Sequence, residues 1–300
     1  MKAIVTGANG FVGSALIKKL IADGIEVLAI DVSFEKPNLP ESDLIKRLET
    51  SVSSIGKSVS EIGRFEYELF YHFAWRGVNG PDKGNVDVQM ENVRLTLACA
   101  KAAKELGCRK FLCAGTLAER NVESLSGLET TGPGMFYGAA KHAAHLLLET
   151  YCKSVGLDFV WMQFSNVYGP TNKTGNLISY TLNQLQKNEV ASFGPARQPY
   201  DFIFADDLIE AVYRLGVTGT KRHFYFVGSG TPMILAEYLI RVGTVFGKPE
   251  LIKIGERTDD GIRYSFGMLD NSDLTNEIGN YVSGSFDERI AYTIRNYGEC

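Results

Sequence analysis

The chain has 300 residues, 45% of them hydrophobic and 22% charged, with a formal net charge of −4 at pH 7. That length allows two packed regions or one large α/β unit, and the composition is that of an ordinary soluble globular protein. The acidic balance argues against a nucleic-acid-binding surface, and no apolar run approaches the roughly twenty residues needed to span a bilayer.

Lys2–Thr6 is an apolar, β-branched run that reads as a buried strand. It leads directly into Gly7-Ala-Asn9-Gly10-Phe11-Val12-Gly13, and residues 11–23 then carry helical spacing. A strand, a glycine turn and a helix in that order form a pyrophosphate cradle. Gly7 permits the tight turn, Gly10 lets backbone approach phosphate, and Gly13 lets the helix pack close to the strand. Asn9, Phe11 and Val12 complete the expected cofactor-binding turn. Ile25–Ile30 is a second buried strand and ends at Asp31. A carboxylate there accepts the adenosine-ribose hydroxyls and repels a 2′-phosphate, so the expected cofactor is NAD.

Residues 32–67 are the least legible, with a loop marked by Pro37 and Pro40 and a polar stretch from Ser51 to Ser60. Further strands are expected at Glu68–Phe73, Lys110–Ala114, Asp158–Gln163 and His223–Val227. Further helices are expected near 85–106, 137–155, 175–188, 206–216 and 234–246. This alternation predicts an α/β fold, a Rossmann-type doubly wound parallel sheet with a smaller C-terminal α/β substrate lobe. The predicted division is 1–165 for the NAD-binding domain, which also recruits about 200–229, and 166–300 for an interleaved substrate lobe.

The five cysteines (Cys99, Cys108, Cys113, Cys152, Cys300) are scattered, which predicts reduced thiols rather than a disulfide frame or zinc site. The four histidines form no ligand-like cluster, so no metal is expected. No signal-peptide pattern precedes the first strand, and a cytoplasmic location is the expectation.

Tyr137 and Lys141 lie four residues apart, one helical turn, so they share a face. A nearby ammonium favours phenolate, which is what a tyrosine needs to act as a base near neutrality. Lys141 is also placed to hold the nicotinamide ribose. Thr116, just past the strand Phe111–Ala114, can donate to or accept from the same reacting oxygen.

With these residues in order, the chain resembles the extended short-chain dehydrogenase/reductase superfamily, and within it the NAD-dependent nucleotide-sugar epimerase/dehydratase family, UDP-glucose 4-epimerase-like. The resemblance rests on Thr6–Gly13, Asp31, His72-Phe-Ala74, Asn92-Val, Thr116, Tyr137-x-x-x-Lys141, Asn166-Val-Tyr-Gly-Pro170, Tyr200–Asp207 and Arg257–Asp270. It implies that Phe73, Ala74 and the adjoining Trp75 line the nicotinamide side and that Asn92 anchors the active-site framework. Thr116, Tyr137 and Lys141 become the catalytic set. Asn166 becomes a contact for the substrate phosphates or for the cofactor end of the pocket, and Arg257 a candidate for the substrate pyrophosphate. It also implies a homodimer formed as a four-helix bundle by the helices near 85–106 and 137–155. Tyr200 stands where the family often has arginine, and Arg197 is the candidate replacement.

The expected reaction is epimerisation of a nucleotide-diphosphate sugar by transient oxidation at C4. The alternative is an NAD(P)H-dependent 4-keto-sugar reductase. A 4,6-dehydratase ranks third, because Leu117-Ala118 follows Thr116 where dehydratases carry Asp-Glu, and Glu119 comes one residue too late. A non-enzymatic NAD-binding sensor ranks last, because the Tyr/Lys pair is kept.

Overall fold

A computed structural model describes residues 1–63, 66–123, 132–172, 175–259 and 261–297. Contacts divide the described residues into two compact units, one of Met1–Val122, Gly132–Gln163 and Ile209–Tyr225, the other chiefly of Phe164–Leu208 and the described residues from Phe226 onward.

In the first unit the elements run β1 (Lys2–Thr6), α1 (Phe11–Ala22), β2 (Glu26–Asp31), β3 (Ile45–Glu49), α2 (Ile55–Ile62), β4 (Leu69–His72), α3 (Val86–Leu106), β5 (Lys110–Thr116), α4 (Glu119–Glu123), α5 (Pro133–Val155) and β6 (Asp158–Phe164). Further along come β7 (Asn166–Tyr168), α6 (Leu177–Gln186), β8 (Ala191–Phe193), β9 (Pro199–Tyr200), β10 (Phe202–Phe204), α7 (Ala205–Val217), β11 (Phe224–Val227), β12 (Met233–Ile234), α8 (Leu235–Phe246), β13 (Ile252–Ile254), α9 (Ser272–Ile278) and α10 (Phe286–Asn296).

The main sheet has seven strands in the order β11-β6-β5-β4-β1-β2-β3. β1 pairs parallel with both β2 and β4, so the strand order reverses beside it. This is the topological switch point at which doubly wound sheets bind ligands, and the fold is of Rossmann type. β1 reads as one apolar run because both its faces are covered. On one face, α2, α3 and α5 bury Ile55, Val59, Cys99, Ala103, Ala144 and Leu148 against Phe70, Phe111 and Trp161. Buried Lys110 reaches to the end of α7, where its ammonium donates to the carbonyls of Leu215 (2.9 Å) and Thr218 (2.6 Å). A cation there meets the negative end of the helix dipole.

The second unit holds three two-stranded pieces: β7 with β10, β9 with β12, and β8 with β13. Its aromatic centre packs Tyr168, Phe202, Tyr238 and Phe286, with Tyr238 and Phe286 ring centroids 4.7 Å apart. Ser285 and Glu288 form a capping box at the start of α10.

Two expectations need correction. Residues 45–62, unassigned from sequence, form β3 and α2. The helix carrying Tyr137 opens four residues earlier, at Pro133, so Tyr137 sits in its second turn.

The closest backbone approach sits where α1 meets the turn. A Cβ added at Gly13 would lie 2.1 Å from the Gly7 carbonyl oxygen. Backbone cannot yield there as a side chain can, so Gly13→Ala must push α1 off the Gly7-Ala8 turn. We expect a loss of about 1–3 kcal/mol in urea unfolding, with a parallel fall in NAD affinity by titration; unchanged values would contradict this packing.

Candidate active site

The site in the first unit is built where β1, β4 and β5 end. Gly7 turns with φ +69°, and a Cβ there would lie 2.7 Å from the Ala74 nitrogen and 2.8 Å from the Phe73 carbonyl carbon. The glycine turn therefore rests directly on the Phe73-Ala74 backbone. Gly10 caps α1 without any side-chain acceptor, leaving the first-turn face of Phe11, Val12 and Gly13 uncapped. Asp31 at the end of β2 accepts from the amides of Asn9 (2.8 Å) and Val32 (2.7 Å). The Asn9 side chain ties the turn to the loop after β2, donating to Ser33 and Lys36 carbonyls and accepting from the Asn38 amide. A side-chain-free phosphate cradle beside a fixed carboxylate fits a dinucleotide whose ribose carries free hydroxyls.

Thr116, Tyr137 and Lys141 converge beyond β5. Lys141 is buried; its ammonium donates to the Ala114 carbonyl at 2.7 Å and lies 3.7 Å from the centroid of the Trp75 ring. Burial pushes its pKa down, opposed by the charges of Cys113 and Glu119. Trp75 meets the Tyr137 ring edge-on, with centroids 6.2 Å apart at 82°. Burial pushes the Tyr137 phenol well above its ordinary value, while a side-chain hydrogen bond with Thr116 works the other way.

Asn92 anchors the loop after Ala74: its side chain accepts from the Arg76 amide (3.0 Å) and donates to the Arg76 carbonyl (2.7 Å). Gln89, which the sequence did not single out, accepts from the Trp75 indole at 2.9 Å.

Glu119 does not reach outward. It folds back beneath β5, accepting from the Thr116 amide (2.6 Å) and from the Trp161 indole (3.1 Å). Burial pushes its pKa up toward neutrality, against hydrogen bonding from Thr116 and the charge of Lys141. The i to i+3 spacing from Thr116 hints at the turn, but the Trp161 partner lies 42 residues on and no local pattern announces it.

In the second unit a cavity of about 390 Å³ is lined by residues including Asn176, Tyr180, Phe193, Gln198, Tyr200 and Arg257. The Arg257 guanidinium donates to the Tyr180 hydroxyl at 2.6 Å and covers the Tyr180 ring. Arg197 is exposed and is not on this wall. Asn166 sits on β7, donating to the Asp201 carbonyl and accepting from the Tyr200 hydroxyl, both at 3.1 Å. The Tyr200 that stands in place of an arginine is therefore bonded to Asn166.

Among the described residues no group of side chains could hold a metal ion, and no helix is long and apolar enough to cross a membrane. Cys99, Cys108, Cys113 and Cys152 are free and buried; Cys300 lies outside the described residues.

The fold and the site together define a dinucleotide-dependent enzyme of the extended short-chain dehydrogenase/reductase type. Residues 3–228 match the model of the NAD dependent epimerase/dehydratase family, and the chain belongs to that family, with NAD as its cofactor. It is 26% identical to the UDP-glucose 4-epimerase of Mycolicibacterium smegmatis, covering 98% of this chain and 97% of that one. It is 23% identical to a dTDP-4-dehydro-6-deoxyglucose reductase of Escherichia coli, covering 83% of each. The solved structure of DesIV, a dTDP-glucose 4,6-dehydratase from Streptomyces venezuelae with NAD bound, superposes with a TM-score of 0.81 at 21% identity, covering 100% of this chain and 97% of that one. The family thus spans NAD-dependent nucleotide-sugar epimerases, dehydratases, reductases and decarboxylases.

A carboxylate pKa raised in the folded state means that the native protein binds the proton more tightly than the unfolded chain does. Stability from this group is present at low pH and falls as pH rises from the ordinary value of 4.5 toward neutrality. Glu119→Gln should flatten that decline; urea unfolding of both proteins across pH 4.5–7.5 checks it, and parallel curves would remove Glu119 as the source.

Proposed function

We propose that the chain is an NAD-dependent nucleotide-sugar epimerase acting by transient oxidation at sugar C4. The observation that carries this reading is the convergence of Thr116, Tyr137 and Lys141 beside a glycine turn and Asp31. Bound NAD supplies the hydride acceptor and donor. Tyr137 takes the C4 hydroxyl proton as that carbon is oxidised and returns a proton when the ketone is reduced on the opposite face. The Thr116 hydroxyl steadies the reacting oxygen, and the Lys141 ammonium favours the phenolate. Phe73, Ala74 and Trp75 wall the nicotinamide side. The cavity lined by Arg257 and Tyr180 is read as the nucleotide-diphosphate site, with Asn166 and Arg197 outside its wall.

A 4-keto-sugar reductase is the second reading: it uses the same Thr116, Tyr137 and Lys141, and the chain is 23% identical over 83% of its length to a dTDP-4-dehydro-6-deoxyglucose reductase. Mass spectrometry of nucleotide released on denaturation separates the two. Near-stoichiometric NAD supports a closed redox cycle and leads to a screen of UDP-sugars for inversion. An empty protein that binds added NADH supports the reductase. Tyr137→Phe should cut turnover by about 10²–10⁴-fold and leave NAD bound; unchanged turnover would sink both enzymatic readings.

A homodimer through α3 and α5 is also proposed. The two helices pack together and leave Met90 58%, Phe136 46% and Leu147 48% exposed. Solvent disfavours so many large apolar groups on one helix pair. Met90→Asp with Leu147→Asp should give a monomer by light scattering where the unmodified protein gives a dimer.

A further inference from the structure

The loop between β4 and α3 is held by its own hydrogen bonds. Gln89 donates to the carbonyls of Gly77 (3.0 Å) and Asp82 (3.1 Å), while Asn92 grips Arg76 through both backbone groups. Arg76 and Asp82 form an ion pair at 2.9 Å. Gly77 has φ +71°, and a Cβ there would lie 2.6 Å from the Asp82 carbonyl oxygen, so no larger residue closes this turn.

This braced loop carries Lys83 on the short turn Pro81–Gly84 and sets its ammonium 5.4 Å from the centroid of the Tyr137 ring. Lys83 is half-buried, and burial pushes its pKa down. No ion pair is formed by Lys83 among the described residues, and its neighbour Asp82 is committed to Arg76. The contact it does make is with the π face of the catalytic phenol. A half-buried ammonium that has shed water gains most from an anion, because an anion adds a counter-charge to the hydrogen bond and that attraction grows as water is excluded. A sugar hydroxyl would leave its charge without a counter-ion.

We propose that Lys83 is a specificity residue that receives a carboxylate carried by the sugar ring at Tyr137, so that the substrate class is a nucleotide-diphosphate hexuronate rather than a neutral hexose. This rests on the nucleotide-sugar reading above. Lys83 adds a second cation near Tyr137, separate from Lys141, whose ammonium is held by the Ala114 carbonyl and the Trp75 ring. The carboxylate it holds fixes which face and which end of the ring reach the phenol.

The test is calorimetric titration of the NAD-loaded protein with UDP, dTDP, UDP-glucose and UDP-glucuronate. We expect UDP-glucuronate to bind at least about tenfold tighter than UDP-glucose, a step of roughly 1.4 kcal/mol. Lys83→Met should bring the two within about threefold of each other, Lys83→Arg should keep the preference, and NAD affinity should hold in both. Circular dichroism confirms that each variant is folded, and Lys83→Gln stands in if the methionine variant is not. Equal binding of the two sugars by the unmodified protein overturns the inference while leaving the nucleotide-sugar reading intact. So does a preference that survives Lys83→Met, or a loss shared by both sugars or by NAD. If neither UDP nor dTDP binds, the nucleotide-sugar reading falls and this inference falls with it.

Discussion

The candidate active site is organised around a buried ammonium. Removing Lys141 from water costs several kcal/mol unless its charge is met. Three separate elements meet it: the Ala114 carbonyl of β5 at 2.7 Å, the face of Trp75 after β4 at 3.7 Å, and the field of Glu119 on α4. Glu119 is itself buried, and the Trp161 indole of β6 holds it. Gly115 is the consequence in sequence. A Cβ there would lie 2.3 Å from the Trp161 indole nitrogen and 2.8 Å from a Glu119 oxygen, so the carboxylate fills the space a side chain would need. Four elements are thereby fixed around one charge, and Thr116, whose amide Glu119 accepts, is fixed with them.

The cofactor turn and this charge are mechanically continuous. Gly7 packs on the Phe73-Ala74 backbone, and the next residue is Trp75, which lies on Lys141. A second line runs through hydrogen bonds: Thr6 to His72 at 2.7 Å, His72 to Thr96 at 3.1 Å, and Thr96 to the Asn92 carbonyl at 2.8 Å. Burial pushes His72 down to about 3, so it is neutral near pH 7 and serves as a strut rather than a proton carrier. Asn92 then holds the loop that carries Trp75 and Lys83.

What could be read in the chain was what repeats locally. β1, β2, β4 and β5 are buried runs, and α3 and α5 keep helical spacing, so their type is written in residues close together. β3 escaped because it is the sheet's edge strand, and Ile45-Lys-Arg-Leu-Glu49 pairs on one side with three charges among five residues. α2 escaped because its buried apolar residues are just Ile55, Val59 and Ile62, set among serines and a lysine. In the site, the glycines, Asp31 and the Tyr-Lys pair were legible because their chemistry depends on near spacing. Glu119 on Trp161, Arg257 on Tyr180 and Lys83 over Tyr137 were not, because each joins residues 42 to 77 positions apart through the tertiary fold.

The same distant contacts bear on which reaction the family scaffold performs here. Elimination across C5 and C6 needs a carboxyl group able to reach the sugar as acid or base. Leu117 and Ala118 supply none, and both oxygens of Glu119 face the Thr116 amide and the Trp161 indole beneath β5. To serve as an acid toward substrate it would have to abandon the Lys141 charge it helps to hold. Among the described residues after Thr116, Glu119 is thus committed to supporting the Lys141 charge, which fits the proposed redox step at C4 better than an elimination. Epimerisation and ketone reduction both use that step, and they differ in whether the oxidised cofactor stays with the protein from one turnover to the next.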